Sequence, residues 1–210
     1  MTLSIDTNFI ERLSSKDPTP GGGATAAYCG ALAGACASFV GNLTIDNKKY
    51  AEVKTQVEAS VNRLNETTAD LIYLVDEDAN AFAPVAKAMR MPKGELRDRE
   101  IDKCLVGACE IPLEIMQKIM DILDECTSLA EHGSRLALSD VGCAAAIGRG
   151  ALIAASMNIY ANAKLFRQED KAVMYKNLAT ELCDDGVALA DSVLELVNAE
   201  FDSWVPHYLR

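Results

Sequence analysis

Histidine is nearly missing from this chain of 210 residues, with His132 and His207 the only two. Neither has a sequence neighbour that would complete a nucleophilic dyad or triad, and a zinc centre built from His and Cys is short of ligands. The seven cysteines are odd in number and contain no Cys-x-x-Cys pair. With no signal-peptide pattern ahead of them, they read as thiols kept reduced in a cytoplasm. Aromatic residues make up only 6% and alternating polar and apolar runs are scarce, which argues against β architectures. No linker, low-complexity tract or tandem repeat divides the chain, so residues 1–210 read as one domain. A compact chain of this length buries roughly 70% of the surface its unfolded form exposes, enough to need no disulfide or metal staple.

Positive charge is also short. Lys and Arg number 20 against 31 Asp and Glu, a net of −11, and such a surface repels phosphate backbones and anionic headgroups. Nucleic acid and membrane are therefore not expected partners. Residues 21–45 carry no charge at all, long enough to span a bilayer. Their composition is Ala, Gly, Ser, Thr and Cys rather than Leu, Ile and Phe, however, and that favours a buried helix.

What is abundant is apolar residues spaced by three and four, the helical period. The expected fold is all-α, a single bundle of five or six helices. A first helix is expected over residues 8–15, with Asn8 and Glu11 in capping-box register and Asp17, Pro18 and Pro20 ending it. Pro20-Gly21-Gly22-Gly23 then opens the charge-free helix. Further helices are expected over residues 50–89, from a charged connector at 92–98 to residue 132 with a kink at Pro112, over 139–166, and over 171–202. Two rows of small residues stand out, Ala26, Gly30, Gly34, Ser38 and Asn42, and Gly142, Ala146, Gly150, Ala154 and Asn158. They mark two helices expected to pack against each other at short distance.

Asp78 is the most informative position. Leu71, Val75, Asp78, Phe82, Val85 and Met89 fall on one helical stripe with a carboxylate in its middle, while Asp76 and Glu77 fall off it. An ionised carboxylate buried without partners is costly, so Asp78 must be hydrogen-bonded, paired, or raised in pKa. It is a general acid or base, a cap for another helix end, or part of a stripe that meets solvent at this level. Pro84 adds to the picture by freeing the Asn80 carbonyl from its helical donor.

Gly21, Gly22 and Gly23 leave several backbone amides unpaired at a helix start, where a carboxylate or phosphate can sit, although such a run is also simply a tight turn. It is not a Walker loop, since no Lys-Ser or Lys-Thr follows. Residues 87–103 hold six basic and four acidic side chains, and Lys48 and Lys49 form a second basic spot. Alternating charges read mostly as a solvated helix face. Ser139 and Asp140 read as an N-cap with an acidic first turn.

Taken in order, these motifs resemble the cyclodeaminase/cyclohydrolase family of folate enzymes. The resemblance rests on residues 18–27 (Pro-Thr-Pro-Gly-Gly-Gly-Ala-Thr-Ala-Ala), Asn42-Leu43-Thr44 with Lys48-Lys49-Tyr50, and Leu74-Val75-Asp76-Glu77-Asp78-Ala79 with Ala81-Phe82. It continues through Met91-Pro92-Lys93, Ile111-Pro112-Leu113, Ser139-Asp140 and Asn158. Where many relatives carry Gly-Asn before the Ser-Asp motif, this chain has Gly133-Ser134. The resemblance implies an all-helical, commonly dimeric, free-standing bacterial enzyme acting on tetrahydrofolate with a one-carbon unit, and no metal or further cofactor. It implies one of two activities, closure of a formimino group to the methenyl bridge with loss of ammonia, or hydrolysis and formation of that bridge. It makes Asp78 the catalytic base. It directs the folate tail to the Gly21, Gly22 and Gly23 amides, Lys48, Lys49 or Arg99, with Asp140 and Asn158 as further substrate-binding positions. The contrasting expectation is a non-catalytic helical scaffold or dimeric folate-binding protein.

Overall fold

The computed structural model describes residues 7–203, so His207 lies outside them. Six α-helices account for most of that span, α1 Thr7–Leu13, α2 Gly22–Ile45, α3 Lys54–Met89, α4 Glu95–His132, α5 Leu138–Ala163 and α6 Glu169–Ser203. No strand occurs among the described residues, as the three-and-four spacing requires. Short 3-10 turns at Lys48–Tyr50 and Arg135–Ala137 join α2 to α3 and α4 to α5. Connections this short make successive helices antiparallel. The bundle therefore has one end holding the start of α2, the close of α3 and the close of α5, and an opposite end holding Lys48–Tyr50 and the start of α5.

α4 is the central helix, in contact with α2, α3, α5 and α6. Its Ile115, Met116, Ile119, Ile122, Leu123 and Leu129 are wholly buried. The long third helix starts at Lys54 rather than at residue 50. The reason is local: the Asn47 side chain accepts from the Lys49 amide at 3.0 Å and closes a separate turn first. α4 opens at Glu95, inside the stretch expected as connector. Gly94, with φ 155° and ψ 175°, takes a backbone conformation closed to other residues and turns the chain into it.

α4 passes through Pro112 without interruption. Proline has no amide hydrogen, so the Ala108 carbonyl four residues back loses its helical donor. Asn162 of α5, itself buried, supplies the replacement, Nδ2 donating to that carbonyl at 2.7 Å. The Thr68 hydroxyl, by contrast, is buried with no partner among the described residues. Opposite outcomes follow. Asn162→Leu is expected to lower stability by about 1–3 kcal/mol by orphaning a buried carbonyl, whereas Thr68→Val removes an unpaired group and is expected to be neutral or stabilising. Urea unfolding of the two variants checks both signs.

The two helices that carry the rows of small residues do pack against each other, as expected, but the rows themselves are not the faces that meet. The α2 row looks elsewhere. A Cβ at Gly30 would meet Ile119 of α4 and Leu71 of α3, and one at Gly34 would overlap the Thr68 hydroxyl of α3. On α5, Gly142 meets Val197 of α6, while Ala146 and Gly150 are exposed, with open space around Gly150. Periodicity gives a face but not its partner, because the rotation of each helix about its axis is fixed by all its neighbours together. By length and composition Gly22–Ile45 and Arg135–Ala163 are each apolar enough to cross a membrane. α2 spends its apolar surface against α3, α4 and α5, with thirteen of its residues buried.

Candidate functional site

The start of α2 is where three helices converge. Its N-cap is Gly21, in extended conformation and with no side chain to offer the first-turn amides. Those amides have no intrahelical acceptor, so a partner must come from outside. It comes from α3, 54 residues along the chain, where Asp78 Oδ2 accepts from the Ala24 amide at 2.9 Å. The neighbouring glycine makes this approach possible, since a Cβ at Gly23 would overlap the Asp78 carboxylate. The Thr25 hydroxyl donates to the Gly21 carbonyl at 2.8 Å and tightens the same turn.

The third contributor is Asn158 of α5. Its Nδ2 donates to the Ala154 carbonyl at 2.9 Å, and its amide group lies across Gly22, with Oδ1 3.1 Å from where a Cβ of that residue would sit. Gly22 itself is exposed and Gly23 buried. The result is one cluster at the start of α2, with the Asp78 carboxylate against Gly23 and the Asn158 carboxamide against Gly22.

Burial pushes the Asp78 carboxyl above its ordinary pKa, and the Ala24 amide, which favours the ionised form, offsets part of the rise. Leu71 and Val85 of its stripe are wholly buried, while Val75, Phe82 and Met89 pack against the core. Of the alternatives left open by the sequence, capping of another helix end is present. It engages one oxygen, and Oδ1 has no hydrogen-bond partner among the described residues. A carboxylate of raised proton affinity, fixed by one oxygen and open at the other, has the chemistry of a general base.

The remaining positions implied by the resemblance lie elsewhere. Lys48 and Lys49 follow the close of α2, about 35 Å from Gly22 at 1.5 Å of helix rise per residue. Asp140 stands in the first turn of α5, about 27 Å along that helix from Asn158 by the same rise. Arg99 lies at the Asp78 end but is tied to Glu95 at 3.1 Å, which also holds Arg167 at 3.1 Å. Within one chain, then, Gly21, Gly22, Gly23, Asp78 and Asn158 come together, and Lys48, Lys49, Asp140 and Arg99 stay apart from them. The basic segment 87–103 is largely a salt-bridged face, with Arg97 on Asp98, Arg99 on Glu95 and Lys103 on Glu100. Among the described residues no group of three or more His, Cys, Asp or Glu is arranged to hold a metal. The sequence reading passed over Thr25, whose signal is a Thr four residues after a helix-opening glycine.

Known proteins share this arrangement of helices. The sequence pattern of the formiminotransferase-cyclodeaminase family matches residues 6–181. A methenyltetrahydrofolate cyclohydrolase from Methylorubrum extorquens is 34% identical over 74% of this chain and 77% of its own length. A formimidoyltransferase-cyclodeaminase from Gallus gallus is 25% identical over 89% of this chain but only 36% of its own, so the chain spans about a third of that bifunctional relative. The crystal structure of formiminotetrahydrofolate cyclodeaminase from Thermotoga maritima superposes with a TM-score of 0.82 over 97% of this chain and 98% of that one, at 26% identity. The Asp78 contact thus sits in a helical bundle shared over 97% of this chain, and the chain belongs to the formiminotransferase-cyclodeaminase family.

Proposed function

We propose that the protein is a formimidoyltetrahydrofolate cyclodeaminase, converting 5-formiminotetrahydrofolate to 5,10-methenyltetrahydrofolate and ammonia, with Asp78 as general base. The observation that carries this reading is the Asp78 carboxylate, raised in pKa by burial and anchored by a single oxygen over Gly23. Ring closure needs a base to take the proton from the attacking second nitrogen of the folate as it adds to the formimino carbon. The same proton, or another, must then reach the departing ammonia. Asp78 Oδ1 is the open acceptor for the first step. The exposed Gly22 amide and the Asn158 carboxamide are polar groups positioned to orient the substrate beside it. No cofactor beyond the folate enters this scheme.

A second reading on the same scaffold is methenyltetrahydrofolate cyclohydrolase, in which water replaces ammonia. It is favoured by the 34% identity to the Methylorubrum enzyme. One absorbance assay separates the readings from each other and from a scaffold without activity. The methenyl bridge is conjugated, so its signal grows when formiminotetrahydrofolate is cyclised and decays when methenyltetrahydrofolate is hydrolysed. Growth with the first substrate supports the cyclodeaminase, decay with the second alone supports the cyclohydrolase, and no change with either excludes both.

The reading includes a cytoplasmic homodimer. Supporting it are exposed apolar side chains on the two contacting helices α2 and α5, Leu32, Phe39 and Leu43 on the first and Met157 on the second, with Phe39 49% and Met157 53% exposed. Apolar surface of this extent on neighbouring helices marks an interaction face. Phe39→Asp combined with Met157→Lys is expected to convert a dimer to a monomer, read by sedimentation equilibrium. A wild-type protein that sediments as a monomer at high micromolar concentration would dismiss this face as a dimer contact.

A further inference from the structure

The cysteines have no part in the chemistry proposed at Asp78, yet two of them fall at one level of the seam between α2 and α5. These helices run antiparallel and in contact, and they are pinned to each other at both ends. At one end the Asn158 carboxamide lies across Gly22. At the other the Thr44 hydroxyl accepts from the Ser134 amide at 2.8 Å. Cys36 is 14 residues after Gly22, and Cys143 is 15 residues before Asn158. Four helical turns take about 14 residues, so both thiols lie on the faces that meet at the Gly22–Asn158 contact, about 21 Å further along. Counting from the opposite end gives the same level, since Cys36 is eight residues before Thr44 and Cys143 nine after Ser134.

The seam is narrow at this level. Ala33, three turns from Gly22, and Ala144, four turns from Asn158, are wholly buried. Helices packed through side chains this small approach to about 8 Å between axes. That places facing Cα atoms about 4–6 Å apart, inside the range a disulfide spans. Cys143 is exposed and Cys36 partly so, whereas Cys109 and Cys126 are buried. Burial pushes the Cys36 thiol up, and Cys143 and Asp140 of α5 push it further, as groups facing it across the seam do.

We infer that Cys36 and Cys143 are a reversible redox site, a thiol pair that closes to a disulfide across α2 and α5 when it meets a small-molecule disulfide. The inference is independent of the folate reading. Cys143, the more exposed of the two, attacks one sulfur of the oxidant as its thiolate, and the other half of the oxidant leaves as a thiolate. Cys36 then gives its proton to solvent and attacks the Cys143 sulfur, forming the interhelical bond and expelling the second half. Two protein thiols are oxidised and one small disulfide is reduced to two thiols. In a reducing compartment the pair rests as thiols. Closed, the bond joins residues 36 and 143 and restricts the unfolded chain far more than the folded one, because the loop is long.

The intact protein incubated with oxidised glutathione is expected to lose two titratable thiols and to remain a single chain on a non-reducing gel. Digestion should give one cross-linked peptide pair, holding Cys36 and Cys143. The thermal midpoint should rise by about 5–10 °C and return on treatment with dithiothreitol. The single variants separate the two steps. Cys36→Ser should stop at a glutathione adduct on Cys143, Cys143→Ser should leave Cys36 unmodified, and neither should melt higher after oxidation. Wild-type protein that stops at the single adduct overturns the pairing. A bond from Cys36 to Cys126, or one between two copies of the chain, overturns it as well.

Discussion

Asp78→Asn is expected to reduce turnover by 10²–10⁴-fold, the usual range for loss of a positioned general base, with helicity and thermal midpoint intact. Asparagine is among the preferred helix caps, so its carbonyl can still accept from the Ala24 amide and the start of α2 keeps its partner. What it cannot do is take a proton. The pH dependence gives an independent check. Because burial holds the Asp78 carboxyl above its ordinary pKa, the acid side of the wild-type rate profile should break at a pH above that of a free aspartate, and the break should vanish from any residual activity of the variant. Stability follows the opposite course. A folded-state pKa above the unfolded one means that the unfolded chain loses its proton first as pH rises. Ionisation of Asp78 therefore costs stability across that window, and the asparagine variant is expected to match or exceed wild type above it. A variant that keeps most of its turnover would remove Asp78 from the chemistry.

Gly23→Ala is expected to be nearly as damaging to activity, about 10²-fold or more, by a purely steric route. The new Cβ would occupy the position of the Asp78 carboxylate, whose Oδ2 would lie 2.7 Å from it, so the whole group must swing away. The cap on Ala24 goes with it, and loss of an N-cap costs about 1 kcal/mol. Loss of a general base in its working position is worth several orders of magnitude even when the residue remains in the chain. Two comparisons isolate the cause. At Gly22 the nearest atom to a new Cβ is Asn158 Oδ1 at 3.1 Å, the end of a side chain that can shift, and Gly22→Ala is expected to lower kcat less than tenfold. At Gly107, inside α4, nothing lies within 4 Å, and alanine there should raise stability by up to about 1 kcal/mol through its better helix propensity. Equal loss of activity at all three positions would mean that glycine matters only for backbone freedom, against the steric account.

Asp78 shows how far a one-dimensional pattern reaches. Its stripe from Leu71 to Met89 places the carboxylate on a buried face whatever that face packs against, because side chains three and four apart share one side of any helix. The pattern leaves open whether the group caps, pairs or reacts, and the structure answers with an amide 54 residues away. The same limit explains the small-residue rows. Gly34 does admit a close neighbour, but the neighbour is Thr68 of α3 rather than α5, and no spacing within α2 carries that information. It also explains why Lys48 and Lys49, only about four residues past the end of α2, stand a full helix length from Gly22, whereas Asn158, far along the chain, lies across it.

The amino-acid order by itself determined the helices, their approximate limits and the identity of the buried carboxylate. Those depend on hydrogen bonds and side-chain periods spanning three or four residues. Tertiary structure alone decided that Gly22, Gly23, Asp78 and Asn158 form one cluster and that Asp76, two positions before Asp78, faces α1 instead. Which faces meet is set by the antiparallel order of helices more than thirty residues long and by the rotation each adopts about its axis, and that rotation is a property of the packed core as a whole.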